Sequence, residues 1–133
     1  MKGPVQVNDA FLSIDEDSIL HIEFSPGSIH TLQKAMDNLA AEKLLFESDN
    51  YYCLTIMDVR NIIGVPKEVR DFAKTEDAIR NHEAFALIVG STLSRLLASF
   101  FLGINKPKIP IKLFEDKVTA KKCWLKKLLQ SYV

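Results

Sequence analysis

Apolar and polar positions alternate in the opening part of the chain, on both sides of a turn-forming run. The run is Asp15–Ser18, and the segments beside it are residues 11–14 and 19–24. In the second segment Leu20, Ile22 and Phe24 are separated by single residues of mixed character. This pattern predicts a β-hairpin with one fully apolar face, as in a sheet that helices cover on one side.

Three later apolar runs have the length of strands. They cover residues 51–57, 84–89 and 109–114. The first two are almost continuously apolar, which is typical of interior strands in a parallel sheet. The third contains Pro110, which suits an edge strand or the start of a strand.

Four segments have apolar residues at helical spacing. Ser28 is placed to cap the first helix, Pro66 to open the second and Ser91 to cap the third. The predicted helices cover residues 28–43, 66–73, 91–103 and 117–132. The apolar positions that predict the buried side are, in the first helix, Leu32, Ala35, Met36, Leu39 and Ala40, and in the last, Val118, Trp124, Leu125, Leu128, Leu129 and Tyr132.

The resulting order is β-β-α-β-α-β-α-β-α. Strands and helices that alternate in this way predict an α/β fold with a mixed, mostly parallel sheet of about five strands and right-handed crossovers. A chain of 133 residues has the length of one domain, so we expect a single domain over residues 1–133.

Composition and charge limit the classes of function that this chain can have. The chain is 47% hydrophobic and 26% charged, as in ordinary globular proteins. No apolar run is long enough to cross a bilayer and the start does not resemble a signal peptide, so a cytoplasmic location is expected. Net charge is zero, but residues 104–133 carry eight lysines against Glu115 and Asp116. This asymmetry marks either a surface for acidic partners or the solvated face of a terminal helix.

Motifs for catalysis, cofactors and metals are missing from the sequence. Cys53 and Cys123 have no CxxC or histidine partner at metal spacing, and the three histidines show neither HxH nor HExxH spacing. GxSxG and GxGxxG are also missing. We therefore expect no cofactor, no metal, no nucleic-acid partner and no enzymatic activity, although distant residues can still assemble an acid–base pair.

The element order, together with two groups of short segments, resembles known families. Ile56–Arg60 followed by the Pro66–Arg70 helix resembles the STAS domains of bacterial anti-sigma-factor antagonists, the SpoIIAA-like proteins. A closer resemblance is to small, stand-alone bacterial STAS-like proteins. The segments that carry it are Ala86–Ser91, Phe100–Pro107, Lys112–Phe114 and Trp124–Leu125.

The resemblance implies a SpoIIAA/STAS-like fold and a regulatory role. In the anti-sigma antagonists a kinase phosphorylates a serine at the start of the helix after this loop, and the phosphate blocks binding of the partner. This chain departs from the family there, because Pro66 and Lys67 stand at about that position and no Ser or Thr occurs between Val59 and Lys74. Thr75 is the nearest hydroxyl downstream.

The loop that leaves the strand at residues 51–57 is the main candidate site. In α/β proteins, ligands and partners meet the sheet at the carboxyl ends of its strands. Asp58, Arg60, Asn61 and Lys67 form the compact polar group there, and Arg60 offers bidentate hydrogen bonding. Alternatively, Asp58 accepts backbone N–H bonds from its own loop and pairs with Arg60, which is a structural role.

A second candidate is the helix that starts at Ser91. Its apolar residues suit burial, a lipid-like ligand between helix and sheet, or a homodimer contact. The residues are Ser91, Leu93, Leu97, Phe100 and Phe101. Together these features predict a non-enzymatic regulatory or scaffolding protein-interaction domain, with binding of a small apolar or anionic ligand as the alternative.

Overall fold

The computed structural model describes residues 2–92, 94–95 and 109–131. The strands are β1 (Lys2–Val7), β2 (Ala10–Ile14), β3 (Leu20–Phe24), β4 (Ser28–Ile29), β5 (Cys53–Asp58), β6 (Ile62–Gly64), β7 (His82–Ile88) and β8 (Ile111–Phe114). The helices are α1 (Leu32–Phe46), α2 (Lys67–Phe72), α3 (Glu76–Ile79) and a C-terminal helix, here α4 (Lys117–Ser131).

A six-stranded sheet forms the centre of the fold. Its strand order is β1-β2-β3-β5-β7-β8, antiparallel from β1 to β3 and parallel from β3 to β8. The predicted hairpin is confirmed, since Ala10 pairs with Phe24 and Ile14 with Leu20. The mixed, mostly parallel α/β sheet predicted from the sequence is therefore present, with the five predicted strands in it.

The strands β1, β4 and β6 were not predicted. Strand β1 lies at the sheet edge and is mostly exposed, so its pairing with β2 rests on backbone hydrogen bonds and needs no apolar alternation. Strands β4 and β6 form a separate two-stranded parallel sheet. With two and three residues they are too short to show a periodicity.

Helices cover both faces of the sheet and define two apolar cores. On one face the side chains of β2 and β3 pack with α1 around Leu12, Leu20 and Ile22. On the other face, β5 and β7 pack against α4, with Trp124 almost fully buried as predicted. Val118, which was predicted to lie on the buried side of α4, is exposed instead because it lies at the first turn, away from that core.

Helix α1 buries a different side from the one that its apolar residues predict. Its two fully buried residues are Asn38 and Glu42, while Met36 and Leu44 are exposed. A carboxylate can be buried here because the fold supplies hydrogen-bond donors for it, described below. The predicted cap was also wrong, since Thr31 caps the helix through its side-chain oxygen and the helix runs on to Phe46.

Ser28, the predicted cap, lies in β4 instead. Helix α2 follows Pro66, which is the residue before its first turn, and α3 is a further short helix that Thr75 caps. The third predicted helix begins after Ser91, at Thr92, but most of its predicted length falls outside the described residues.

In the part of the chain that is described, no helix combines the length and apolarity needed to span a membrane.

The lysine-rich end of the chain meets the acidic hairpin turn. Lys121 of α4 lies 3.1–3.2 Å from carboxylate oxygens of Asp15, Glu16 and Asp17, and Lys117 pairs with Glu23 of β3. Some lysines of the basic C-terminal part therefore pair with carboxylates of the same chain, and these ion pairs hold α4 to the β2–β3 hairpin.

Candidate functional site

The candidate loop starts with an ion pair at the carboxyl end of β5. Asp58 is buried, and its Oδ1 accepts hydrogen bonds from the backbone N–H of Arg60 at 3.1 Å and from Arg60 Nε at 3.0 Å. Arg60 Nη2 donates to the other oxygen, Oδ2, at 2.6 Å. The carboxylate therefore closes the turn and holds the guanidinium in a bidentate pair, as in the structural reading of Asp58.

Arg60 is positioned but not buried. Its side chain is 46% exposed, and its methylene groups lie across Gly90, just beyond the end of β7. A Cβ at residue 90 would lie 3.2 Å from Arg60 Cδ, so glycine leaves room for this stem. Hydrogen bonding to Asp58, and then its charge, raise the pKa of the guanidinium. Arg60 thus presents a positively charged group that is held in place, and its Nη1 has no hydrogen-bond partner among the described residues.

The next residue, Asn61, joins the loop to the segment after β3. Its Nδ2 donates to the carbonyl of Phe24 at 3.0 Å, and its own carbonyl accepts from the N–H groups of Gly27 and Ser28 at 3.0 and 3.2 Å. The pairing of β4 with β6 continues this contact. The segment after β3 therefore supports the loop after β5 through hydrogen bonds.

Two exposed isoleucines lie on β4 and β6, the two short strands beside this loop. Ile29 of β4 is 47% exposed and Ile63 of β6 is 53% exposed, while Ile62, the first residue of β6, is buried in the core. Sequence reasoning missed both, because each looks like an ordinary apolar residue. The signal that could have found them is the Ile62-Ile63 pair, since neighbouring strand residues point to opposite faces and only one of them can enter the core.

Lys67 does not join the other three predicted residues. It is the first residue of α2, is largely exposed, and forms an ion pair of 3.0 Å with Asp71 one helical turn further on. The structure thus joins Asp58 and Arg60 directly and bonds Asn61 to the segment after β3. Lys67 lies farther along the same loop-to-helix segment, and surface pairs of the kind that it forms contribute little to stability.

Ser91 caps the helix that follows β7. Its Oγ accepts from the backbone N–H of Ser94 at 3.0 Å, and Ser94 Oγ in turn accepts from the N–H groups of Gly90 and Ser91, both at 3.0 Å. These N–H groups are already satisfied by the chain itself. The other residues of this predicted ligand or dimer helix, Leu93, Leu97, Phe100 and Phe101, lie outside the described residues.

A buried polar network that the sequence did not predict lies between α1 and the sheet. Glu42 Oε1 is 3.0 Å from both Tyr51 OH and His82 Nε2, and His82 Nδ1 is 2.7 Å from Thr55 Oγ1. All four side chains are buried. The residues come from α1, β5, β7 and the segment before β5, so no local motif could have revealed them.

This network is an acid–histidine–hydroxyl series, but it is closed to solvent. Burial, with the charge of Glu42, raises the pKa of the Tyr51 hydroxyl. Burial also raises the pKa of the neighbouring Cys53 thiol to about 12, which leaves it unreactive. Among the described residues, no cluster of His, Cys, Asp or Glu has the arrangement of a metal site. In this form the network ties α1 to the sheet and offers no open reaction site.

The strand order and the helical connections match a SpoIIAA-like α/β fold. A solved structure of similar fold is an uncharacterised protein of the DUF3478 family, with a SpoIIAA-like fold, from Shewanella loihica PV-4. It is 15% identical, with a TM-score of 0.58, and the match covers 85% of this chain and 90% of that one. The predicted SpoIIAA/STAS-like fold is confirmed at this level of similarity, which concerns the fold alone.

The chain itself belongs to the family described as Domain of unknown function (DUF7793), which it matches over residues 12–129. That range begins within β2 and ends near the end of α4, so it includes part of β2 and all the later strands of the six-stranded sheet. No curated protein matches the chain.

Proposed function

We propose that this chain is a non-enzymatic regulatory or scaffolding domain that binds a protein partner at the carboxyl edge of its sheet. The surface, here called the docking face, consists of Arg60, Ile29 and Ile63 on the braced loop. Its central feature is a half-exposed guanidinium fixed by a buried carboxylate, and the exposed isoleucines of β4 and β6 complete the proposed surface. Arginine and apolar anchors of this kind carry most of the binding energy in protein interfaces.

Rigidity supports the docking face as a binding surface. Arg60 is held by both Asp58 oxygens and by contact with Gly90, and the β4–β6 pairing fixes the two isoleucines. A side chain that is already ordered loses less conformational entropy when a partner binds. The position, outside the carboxyl ends of parallel strands, is also where open α/β sheets bind ligands and partners.

The fold adds support by analogy, since the resemblance to anti-sigma-factor antagonists implies partner binding near the same loop. Counted along the sequence from Asp58, Pro66 and Lys67 stand at about the position of the phosphoacceptor in those proteins. The proposal therefore includes no phosphorylation switch at this position, and the partner recognises a constitutive surface.

The test is quantitative capture of proteins from the native cell with tagged chain. Ile63→Asp and Lys67→Glu change exposed side chains, and Arg60→Glu changes the fixed charge. We expect Ile63→Asp and Arg60→Glu to lose the proteins that wild type captures, and Lys67→Glu to weaken that capture. Arg80→Glu is the matched charge reversal, because Arg80 is exposed on the surface near α3 and pairs only with Asp77 among the ion pairs of the described residues.

Retention of the same proteins by Ile63→Asp and Arg60→Glu would refute the docking face. Circular dichroism of each variant separates loss of binding from loss of folding, since Arg60→Glu also leaves Asp58 without its partner. Ile63→Asp is the cleaner variant, because Ile63 is 53% exposed, whereas its neighbour Ile62 is buried in the core.

A further inference from the structure

A groove lies at the opposite, amino-terminal edge of the parallel strands. It has a volume of about 460 Å³, which lies in the size range of small-molecule sites. Leu125 and Leu128 of α4 line it together with the buried residues Ile19, Cys53 and Leu54, and the exposed Tyr52 stands at its rim. The acidic residues Asp17 and Glu83, together with Ser18, complete the lining.

Glu83 lies in this groove because of an irregularity in the sheet. Cys53 pairs with His82 and Leu54 pairs with Ala84, so Glu83 is the extra residue of a β-bulge on β7. A bulge redirects side chains and is frequent next to functional sites. Here the bulge directs two neighbouring residues to different places: His82 belongs to the buried network, and Glu83 lines the groove.

The two carboxylates of the groove differ in their partners. Asp17 pairs with Lys121 at 3.1 Å, although that lysine is shared among three acidic residues of the same turn. Glu83 is half-buried and has neither a hydrogen bond nor an ion pair with any described residue. An ammonium group in the groove would give this carboxylate a charge-assisted hydrogen-bond partner.

We propose that this groove binds a small primary amine with an apolar body. The ammonium group pairs with Glu83, and the body packs on Leu125 and Leu128 beside the Tyr52 ring. An aromatic face at the rim adds attraction for a cation. The inference is independent of the docking face, because Glu83 and Tyr52 lie at the start of the strands whose far ends carry Asp58 and Gly90.

The test uses three probes that share an indole ring and differ in charge. Tryptamine is a cation near neutral pH, tryptophol is neutral, and indole-3-acetate is an anion. Titration of each into uniformly labelled protein is followed by the NMR shifts of backbone amides. We expect saturable shifts with tryptamine at residues 52–54 and 83, about tenfold weaker binding of tryptophol, and no binding of indole-3-acetate.

Two variants assign the contacts. Glu83→Gln keeps the size of the side chain and removes its charge, and it should reduce tryptamine affinity about tenfold while tryptophol binding stays unchanged. Tyr52→Ser should weaken tryptamine and tryptophol together, because both use the ring. Glu68→Gln is the matched control, an exposed carboxylate on α2 at the other edge of the sheet.

Three results would overturn the proposal. They are the absence of saturable tryptamine shifts up to millimolar concentration, shifts that map to residues outside the groove, and equal affinity of tryptamine for wild type and Glu83→Gln. Because the partner-capture experiment uses variants at Arg60 and Ile63, failure of the groove leaves the docking face untouched, and the reverse also holds.

Discussion

At the residue scale, the most unusual feature of this protein is the polar network buried under α1. Glu42, Tyr51, His82 and Thr55 are inside the protein, yet each has a hydrogen-bond partner. A satisfied network of this kind stabilises one arrangement of the elements that it joins. Removal of a single member leaves its neighbour buried without a partner. The free-energy cost of that unpaired polar group is larger than the stability that the hydrogen bond contributes.

Thr55→Val tests the network with little change in shape. The valine leaves His82 Nδ1 without its hydroxyl partner, so we expect the free energy of unfolding to fall by about 1–3 kcal/mol. Urea denaturation measures the loss. Thr92→Val removes a hydroxyl from an exposed position and should change stability by less than about 0.5 kcal/mol. Equal stability of Thr55→Val and wild type would show that the hydroxyl bond adds nothing.

The two cysteines should differ in reactivity. Burial raises the Cys53 pKa to about 12, so at about pH 8 only about one part in ten thousand is thiolate. Cys123 is partly exposed. Mass spectrometry after treatment of the folded protein with iodoacetamide should show one modified cysteine, Cys123, and unfolding in denaturant should expose both. Modification of Cys53 in the folded protein at the rate of Cys123 would contradict this burial.

At the element scale, α4 is held to the β2–β3 hairpin by charge. Lys121 reaches three carboxylates of the acidic turn, and Asp15 also accepts a hydrogen bond from His21. Burial alone would raise the pKa of Asp15, but hydrogen bonds from His21, from the N–H groups of Ile19 and Asp17, and from Lys121 lower it overall. The ionised form of Asp15 is therefore the one that stabilises the fold.

The sign of the pH effect follows from that lowered pKa. Asp15 contributes stability above the pKa of the unfolded chain, about 3.9, and loses it as the pH falls through the lower pKa of the folded state. Asp15→Asn keeps the oxygen that closes the turn but removes the charge. We expect a loss of about 1 kcal/mol near neutral pH, after allowance for partial solvent exposure, and a smaller loss below about pH 3.

Thermal unfolding as a function of pH measures this difference. Asp49→Asn is the control, because Asp49 is exposed and its distance to Lys43 is 4.0 Å. Parallel stability curves for Asp15→Asn and wild type across the acid range would mean that this carboxylate is not linked to folding.

Prediction from sequence succeeded for elements with a strong apolar pattern. The hairpin, β5, β7 and α4 were placed within a few residues, since each buries an apolar face or both faces. Prediction failed for elements that backbone pairing or contacts with distant residues stabilise. Strand β1 depends on backbone pairing at an exposed edge, and the buried side of α1 depends on distant donors that satisfy Glu42.

At the scale of the whole molecule, the two edges of the sheet carry different surfaces. The carboxyl edge has the docking face, and the amino edge has the acidic groove. The sequence pointed to the loop of the proposed docking face, because Asp58, Arg60 and Asn61 are close along the chain. It missed Ile29, which reaches the face only through β4–β6 pairing, and it missed the groove, which depends on a bulge and on α4.

The docking face is tested most directly by photo-crosslinking in the native cell. A photoreactive phenylalanine analogue replaces Ile63 in one variant and Val118 in another; Val118 is 65% exposed on α4, which covers the sheet away from the docking face. We expect a discrete crosslinked protein from position 63, lost when Arg60→Glu is added, and none from position 118. The absence of any crosslink at position 63, or the same crosslinks from both positions, would contradict a partner-binding surface at the carboxyl edge.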